Sequence, residues 1–263
     1  MNFFILGNDQ RQLALTKYLD GIKISDSEKL KTLNKSYIVL PTPVSKDGKF
    51  ISESKIPVDE LSFIPPGNIV FGGKIPTKFR NFFDKKKIKW VDLTEVETLS
   101  IKNAISTAEG AISIILSNLD TTINNSVCLV AGYGRIGKVT GKLLKSFGAT
   151  VYASSRKPEE RIWIEYNGLI PISTYDINLF IEKADIIVNT VPFMVFPSKS
   201  LQLMKKDALL LDLASKPGGV DFEYGKKHNL NIIHALSLPS KCSPETSGKD
   251  MADTIKEIIK EGV

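Results

Sequence analysis

Between Ser126 and Lys157 the chain reads SVCLVAGYGRIGKVTGKLLKSFGATVYASSRK, and few structures can accommodate that stretch. Val127-Cys128-Leu129-Val130-Ala131 is a short unbroken apolar run, the pattern of a strand covered on both faces of a parallel sheet. Gly132, Gly134 and Gly137 follow as G-x-G-x-x-G. The first glycine permits a sharp turn, the second lets the backbone approach a pyrophosphate, and the third lets a helix pack closely on the strand. The helix that begins at Arg135, Ile136 and Gly137 points its free N–H groups and positive dipole end at the phosphates. Gly148 ends that helix, and Val151-Tyr152-Ala153 begins a second strand. In this strand–turn–helix–strand setting the glycines predict a dinucleotide site. The bland alternative is a glycine-rich turn without a ligand.

The end of the second strand predicts which dinucleotide. NAD sites carry Asp or Glu about 20 residues past the turn, to accept from the ribose 2′-OH. Here the chain has Ser154-Ser155-Arg156-Lys157, with no acid until Glu159. A carboxylate repels a 2′-phosphate, whereas hydroxyls and cations bind one. The expectation is therefore NADP, with NAD second. The alternative for Arg156 and Lys157 is a pair of solvated charges at a helix start. Thr190-Val191-Pro192, after a later strand, completes the expected cofactor set.

Composition narrows the remaining classes. The 263 residues carry a net charge of +6, with basic residues scattered. The densest cluster, Lys78 to Lys89, reads as a solvated helix end rather than a nucleic-acid surface. Cys128 and Cys242 lie far apart, so the sequence predicts no metal cluster and no disulfide framework, in keeping with a reducing cytoplasm. The N-terminus lacks the marks of a signal peptide, and no apolar run approaches a membrane span.

Around the fingerprint, short apolar runs alternate with helical segments. Before it come Phe3–Leu6, Ser36–Leu40, Asn68–Phe71 and Lys89–Asp92 as strands; after it come Ala184–Thr190, Leu209–Leu213 and Asn231–Ala235. The expected fold class is α/β, with a Rossmann-type domain at 103–245 and a smaller flavodoxin-like α/β domain at 1–102. A closing helix at 246–263 is expected to join the first domain, and a cleft to separate the two. Loops at strand C-terminal ends are where open α/β sheets bind ligands. Those at Gly132, Ser154, Thr190 and Ser215 all qualify.

These loops carry a resemblance that runs nearly end to end. Gly7-Asn8-Asp9-x-Arg11, Thr107-Ala108-Glu109-Gly110-Ala111, the Gly132 fingerprint, Asn189-Thr190-Val191-Pro192, the run from Leu211 to Phe222 and Pro244-Glu245-Thr246-Ser247-Gly248 together resemble the dipicolinate synthase A subunits of spore-forming bacteria. The resemblance implies a two-domain fold similar to 2-hydroxyacid dehydrogenases and adenosylhomocysteinase. It implies oxidation of a dihydrodipicolinate-type intermediate, from the lysine branch, to pyridine-2,6-dicarboxylate. It also implies a partner, the flavoprotein-like B subunit of dipicolinate synthase, and the mother-cell cytoplasm of a sporulating bacterium as the place. Neither nucleic acid nor membrane is an expected partner, and self-association stays open. One departure is Ser240-Lys241-Cys242 after Leu238-Pro239, where a glycine-containing turn is expected.

A small dicarboxylate calls for cations. Arg11, Lys74 and Lys216 each follow a predicted strand end, and Asn8, Thr42 and Ser215 offer hydrogen bonds. Glu109 and Asp212 are the candidate proton carriers; the alternative for both is orienting a neighbouring loop. Asp9 is also a candidate cap for the first helix. Two competing functions remain. A 2-hydroxyacid dehydrogenase places a histidine just after the last Rossmann strand, but Ser237 to Lys241 has none, while His228 and His234 lie before and inside that strand. The other is a non-catalytic subunit that binds NADP and substrate while a partner does the chemistry.

Overall fold

A computed structural model describes residues 1–215 and 217–262. The chain divides into two compact units, Met1–Asn103 with the segment from Pro239 onward, and Ala104–Leu238. The second division therefore falls at Leu238 rather than at residue 245.

In the first unit, β1 (Phe3–Ile5), α1 (Gln10–Leu19), β2 (Ile22–Lys23), α2 (Glu28–Lys31), β3 (Tyr37–Val39), β4 (Ile69–Gly72), α3 (Thr77–Lys85) and β5 (Lys89–Asp92) follow in order, before the long helix α4 (Glu97–Asn118). The five strands are parallel in the order β2-β1-β3-β4-β5, the flavodoxin arrangement. Alternation divides the strand residues between two cores. Ile38 and Val70 pack with Phe79 and Phe83, whereas Val39 and Phe71 pack with Leu15 and Leu19. Asp9 caps α1, accepting from the Gln12 N–H at 2.8 Å.

The second unit runs β6 (Val127–Ala131), α5 (Arg135–Ser146), β7 (Thr150–Ser155), α6 (Pro158–Tyr166), β8 (Ile170–Ser173), α7 (Asn178–Ile181), β9 (Ile186–Asn189), α8 (Ser198–Leu201), β10 (Leu209–Asp212), α9 (Phe222–Lys227) and β11 (Asn231–His234). Its six parallel strands lie in the order β11-β10-β9-β6-β7-β8, the doubly wound dinucleotide-binding order. The α/β fold expected from the sequence is thus present in both units. Register aligns Ala131 with Ser154 on one side and Asn189 on the other, and Asn189 with Asp212. Four loops therefore leave the sheet at one level.

After the last strand the chain differs from expectation. Leu238–Cys242 forms α10 rather than a loop, and Pro244–Lys260 forms α11. In the first unit α11 packs along α1, with Met251 and Ile255 in the same core as Leu15 and Leu19. Gly248 makes this crossing close, since a Cβ there would lie 2.6 Å from that of Ala14 and 2.7 Å from the Arg11 carbonyl oxygen. The edge strands β2 and β8 are additions to the strands expected from the sequence. Both are short, and β8 carries Pro171, which edge strands tolerate because one side needs no ladder partner.

Candidate functional site

The Gly132 turn leaves β6 as its glycines require. Gly132 has φ +92°, and a side chain there would strike Thr190 Oγ1 at 2.6 Å and Val191 at 2.8 Å. A Cβ on Gly137 would overlap the Gly132 carbonyl oxygen, so the first turn of α5 sits directly on the strand end. Gly134 is different: a Cβ there meets nothing within 4 Å among the described residues. Among the described residues the space above this backbone is open, and Gly134, the N-cap of α5, brings no side chain to it. No acid lies in the helix's first turn. An open approach, a glycine N-cap and a first helical turn without an acid together fit a pyrophosphate.

Neighbouring loops brace the turn through neutral hydrogen bonds. The Gly132 N–H donates to Ser154 Oγ at 3.2 Å, and Ser154 Oγ is in turn 3.4 Å from Thr174 Oγ1. The Thr190 hydroxyl donates to the Ala131 carbonyl at 2.8 Å. Ser154 is fully buried, so its hydroxyl supports the turn from behind. Ser155 is also buried; its Oγ accepts from the Lys157 N–H at 3.1 Å and donates to Glu160. Arg156 and Lys157 are exposed. A cavity of about 330 Å³ opens here, lined by Gly132, Ser154, Ser155, Arg156, Lys157 and Glu160. A larger opening of about 630 Å³ lies beside Asp185 and Asn231, at the strands' N-terminal ends. Of the other cofactor candidates, Arg135 and Pro192 are exposed, whereas Ile136 packs partly against the core.

Behind these loops lies a polar knot. Asp212 is completely buried at the end of β10, and its Oδ1 accepts from Asn189 Nδ2 at 2.8 Å and from the Ala214 N–H at 3.0 Å. Asn189 Nδ2 also donates to the Val191 carbonyl at 3.1 Å, and Asn189 Oδ1 accepts from the Val191 N–H at 3.1 Å. Asp212 Oδ2 has no hydrogen-bond partner among the described residues. Asp212 therefore ties the Val191 loop to the loop after β10, which leads to exposed Ser215. Lys216 lies outside the described residues. Glu109 is an exposed residue of α4, in surroundings quite unlike those of Asp212. His234 lies against Phe222, with ring centroids 4.8 Å apart, and His228 stacks on Tyr224 at 3.9 Å.

In the first unit, four further candidates, Asn8, Arg11, Thr42 and Lys74, lie just past the C-terminal ends of β1, β3 and β4. Arg11 is buried on the first turn of α1, and its Nη2 donates to the Thr42 carbonyl at 2.9 Å. Burial lowers its proton affinity, while Asp9, 3.8 Å away, works in the opposite direction. Its Nε is buried with no partner among the described residues. The Thr42 side chain packs against Gly73, where any Cβ would collide with it. Lys74, next in the chain, is exposed and holds φ +54°. Asp92 maintains that turn: its carboxylate accepts from the N–H groups of Lys74, Ile75 and Thr94 at 2.9–3.0 Å, from the Thr94 hydroxyl and from Arg80. Burial pushes the Asp92 carboxyl up, but this set of donors outweighs it and holds the group below its usual value. Sequence reasoning passed over Asp92, although an acid at a strand end opposite a Gly-Gly-Lys turn was a usable sign. Asn8 is exposed, immediately after Gly7 at φ +93°.

A doubly wound sheet with this glycine turn, in one chain with a flavodoxin-ordered unit, defines a two-unit protein of the dehydrogenase class. Residues 108–216 match the NAD binding domain of D-isomer specific 2-hydroxyacid dehydrogenases. The A subunit of dipicolinate synthase from Bacillus subtilis (strain 168) is 32% identical over 203 residues, 77% of this chain and 68% of that protein. The crystal structure of the Bacillus subtilis protein superposes with a TM-score of 0.86 at 27% identity, covering 99% of this chain and 96% of that one. The dipicolinate synthase A subunit from Bacillus halodurans gives 0.88 at 25%, covering 98% and 97%. The chain belongs to the family of dipicolinate synthase A subunits. Its second unit has the nicotinamide-dinucleotide-binding fold of that dehydrogenase class. Among the described residues, no helix is long and apolar enough to cross a membrane.

Proposed function

We propose that this chain is the nicotinamide-binding subunit of a dipicolinate synthase, oxidising a dihydrodipicolinate-type intermediate to pyridine-2,6-dicarboxylate with NADP. The observation that carries the reading is the open backbone above Gly134 together with a strand end bearing Ser155, Arg156 and Lys157 and no acid. The Gly132–Gly137 turn and the N-terminus of α5 would hold the pyrophosphate, and Arg156 and Lys157 the 2′-phosphate. Thr190, Val191 and Pro192 would line the site as the adjoining loop. When bound, the nicotinamide supplies the hydride acceptor for aromatisation.

The remaining work falls to this chain's own groups. Arg11, whose Nε has no partner among the described residues, would take one substrate carboxylate, with Lys74 and Asn8 in neighbouring strand-end loops and Thr42 holding Arg11 in place. Ser215 and Lys216 are the second unit's candidates for polar contact. Asp212, with Oδ2 unpartnered among the described residues, is the better supported proton-handling or loop-positioning group. Glu109 is kept as the exposed alternative. A B subunit would be the partner, since the name of the Bacillus subtilis relative makes it one lettered subunit of its enzyme. Expression in the mother cell during sporulation is what the resemblance to these subunits implies.

The test uses purified chain, alone and with its B subunit, supplied with the intermediate and either NADP or NAD. Formation of an ultraviolet-absorbing pyridine dicarboxylate with reduction of NADP by the chain alone is the expected result. Product only when the B subunit is present, with no reduction of nicotinamide, would replace this reading by the non-catalytic one.

A further inference from the structure

The pocket at the end of β7 contains a carboxylate that the strand-end sequence does not announce. Glu160 stands in the first turn of α6, its side chain about one third exposed. One of its oxygens accepts from the Ser155 hydroxyl, and the other lies 3.8 Å from Lys157 Nζ. The Ser155 hydroxyl has no second proton to give, and its oxygen already accepts from the Lys157 N–H. Arg161 adds to the same arrangement by donating to the carbonyls of Ser155 and Arg156 at 3.1 and 3.4 Å. Thus two of the groups best suited to a 2′-phosphate are already engaged by a negative charge on the same pocket wall.

We propose that Glu160 is the residue that sets the discrimination between NADP and NAD. A 2′-phosphate has to displace Glu160 to gain the Ser155 hydroxyl, or else share Lys157 with it and sit near a like charge. A 2′-hydroxyl has neither problem and finds in Glu160 an acceptor, the part an acid at the strand end usually plays. Glu160 therefore keeps the site open to NAD and holds NADP affinity below what Arg156 and Lys157 alone would give. The inference rests on the dinucleotide reading above.

Calorimetric titration of NADP and NAD into the full chain, at one salt concentration, tests it in wild type, Glu160→Gln, Glu160→Ala and Glu160→Asp. Removing the charge should tighten NADP about tenfold, the size of one like-charge contact largely screened by solvent, and weaken NAD by no more than about threefold. Glu160→Asp, which keeps the charge, should return the ratio toward wild type. Melting of the cofactor-free proteins separates these effects from folding. A ratio within about twofold of wild type in both Glu160→Gln and Glu160→Ala, in folded protein, would overturn the proposal, whichever dinucleotide wild type prefers. A wild type that binds NAD more tightly removes the NADP reading instead, and a ratio that still moves toward NADP in Glu160→Gln upholds the role of Glu160.

Discussion

The two strand-end clusters are built from different materials. In the second unit the Gly132 turn is braced by neutral groups: Ser154 and Thr190 hydroxyls and a backbone held in register. In the first unit the corresponding loops are set by charge, with Asp92 gathering three backbone N–H groups, a hydroxyl and Arg80, and Arg11 buried against Thr42. A pyrophosphate brings its own charge and is met by aligned N–H dipoles, which work best where no side-chain charge competes. A small dicarboxylate needs formal cations, and buried cations need rigid loops around them. On the function proposed above, the turn meant for the pyrophosphate carries no acid of its own and the first unit supplies a formal cation, while Glu160 stands farther along the dinucleotide pocket.

The contrast is broken most severely at Asp92. Asp92→Ala strips a wholly buried carboxylate from five donors and should cost about 3–4 kcal/mol of stability, allowing for the partial exposure of Arg80. Denaturant unfolding of the full chain measures it. Acid should do the same gradually. Because the folded carboxyl is held below its unfolded value of about 3.9, its contribution is complete above about pH 5 and is lost as pH falls from there through the folded value. Asp92→Asn should flatten that part of the stability-versus-pH curve; an unchanged curve would assign acid unfolding to other carboxylates.

In the neutral cluster the matching break is Gly137→Ala. Its methyl would overlap the Gly132 carbonyl, so α5 must shift, at about 1–3 kcal/mol of stability. Dinucleotide binding should fall with it while dicarboxylate binding holds, as calorimetry of each ligand would show. Arg11→Ala should give the mirror image. Dicarboxylate binding should weaken by about 1.5–3 kcal/mol, the worth of a charge-assisted hydrogen bond, with dinucleotide affinity unmoved. Loss of both affinities together would mean that the two clusters do not act separately. The smallest effect belongs to Ser154→Ala, which removes the acceptor behind Gly132. About 0.5–1.5 kcal/mol of stability and a modest loss of dinucleotide affinity are expected, with no effect on dicarboxylate.

What could be read without a structure followed from local rules. The glycine spacing after Val127–Ala131 encodes a turn and a helix within a dozen residues, so Gly132, Gly134 and Gly137 stand as the sequence predicts. Asp9 is followed three residues later by the N–H it caps, and Gly148 by the strand it releases. The central strands showed as apolar runs because both of their faces are covered. The edge strands β2 and β8 did not, because a half-covered edge needs no such run and pairing alone makes it a strand.

The same boundary passes through the sites. Sequence alone determined that a glycine turn of the dinucleotide-binding pattern leads into a helix, that cations follow several strand ends, and that the strand end after β7 lacks an acid. Only the tertiary structure decided which of these groups are free to act. Folding turned Ser154 inward to Gly132, set Glu160 on Ser155 and near Lys157, buried Asp212 beneath the Val191 loop, and brought Arg11 to Thr42 across 31 residues of chain. A hydrogen bond or an ion pair depends on distance and direction in space, to which spacing along the chain is a guide only within a turn or a helix.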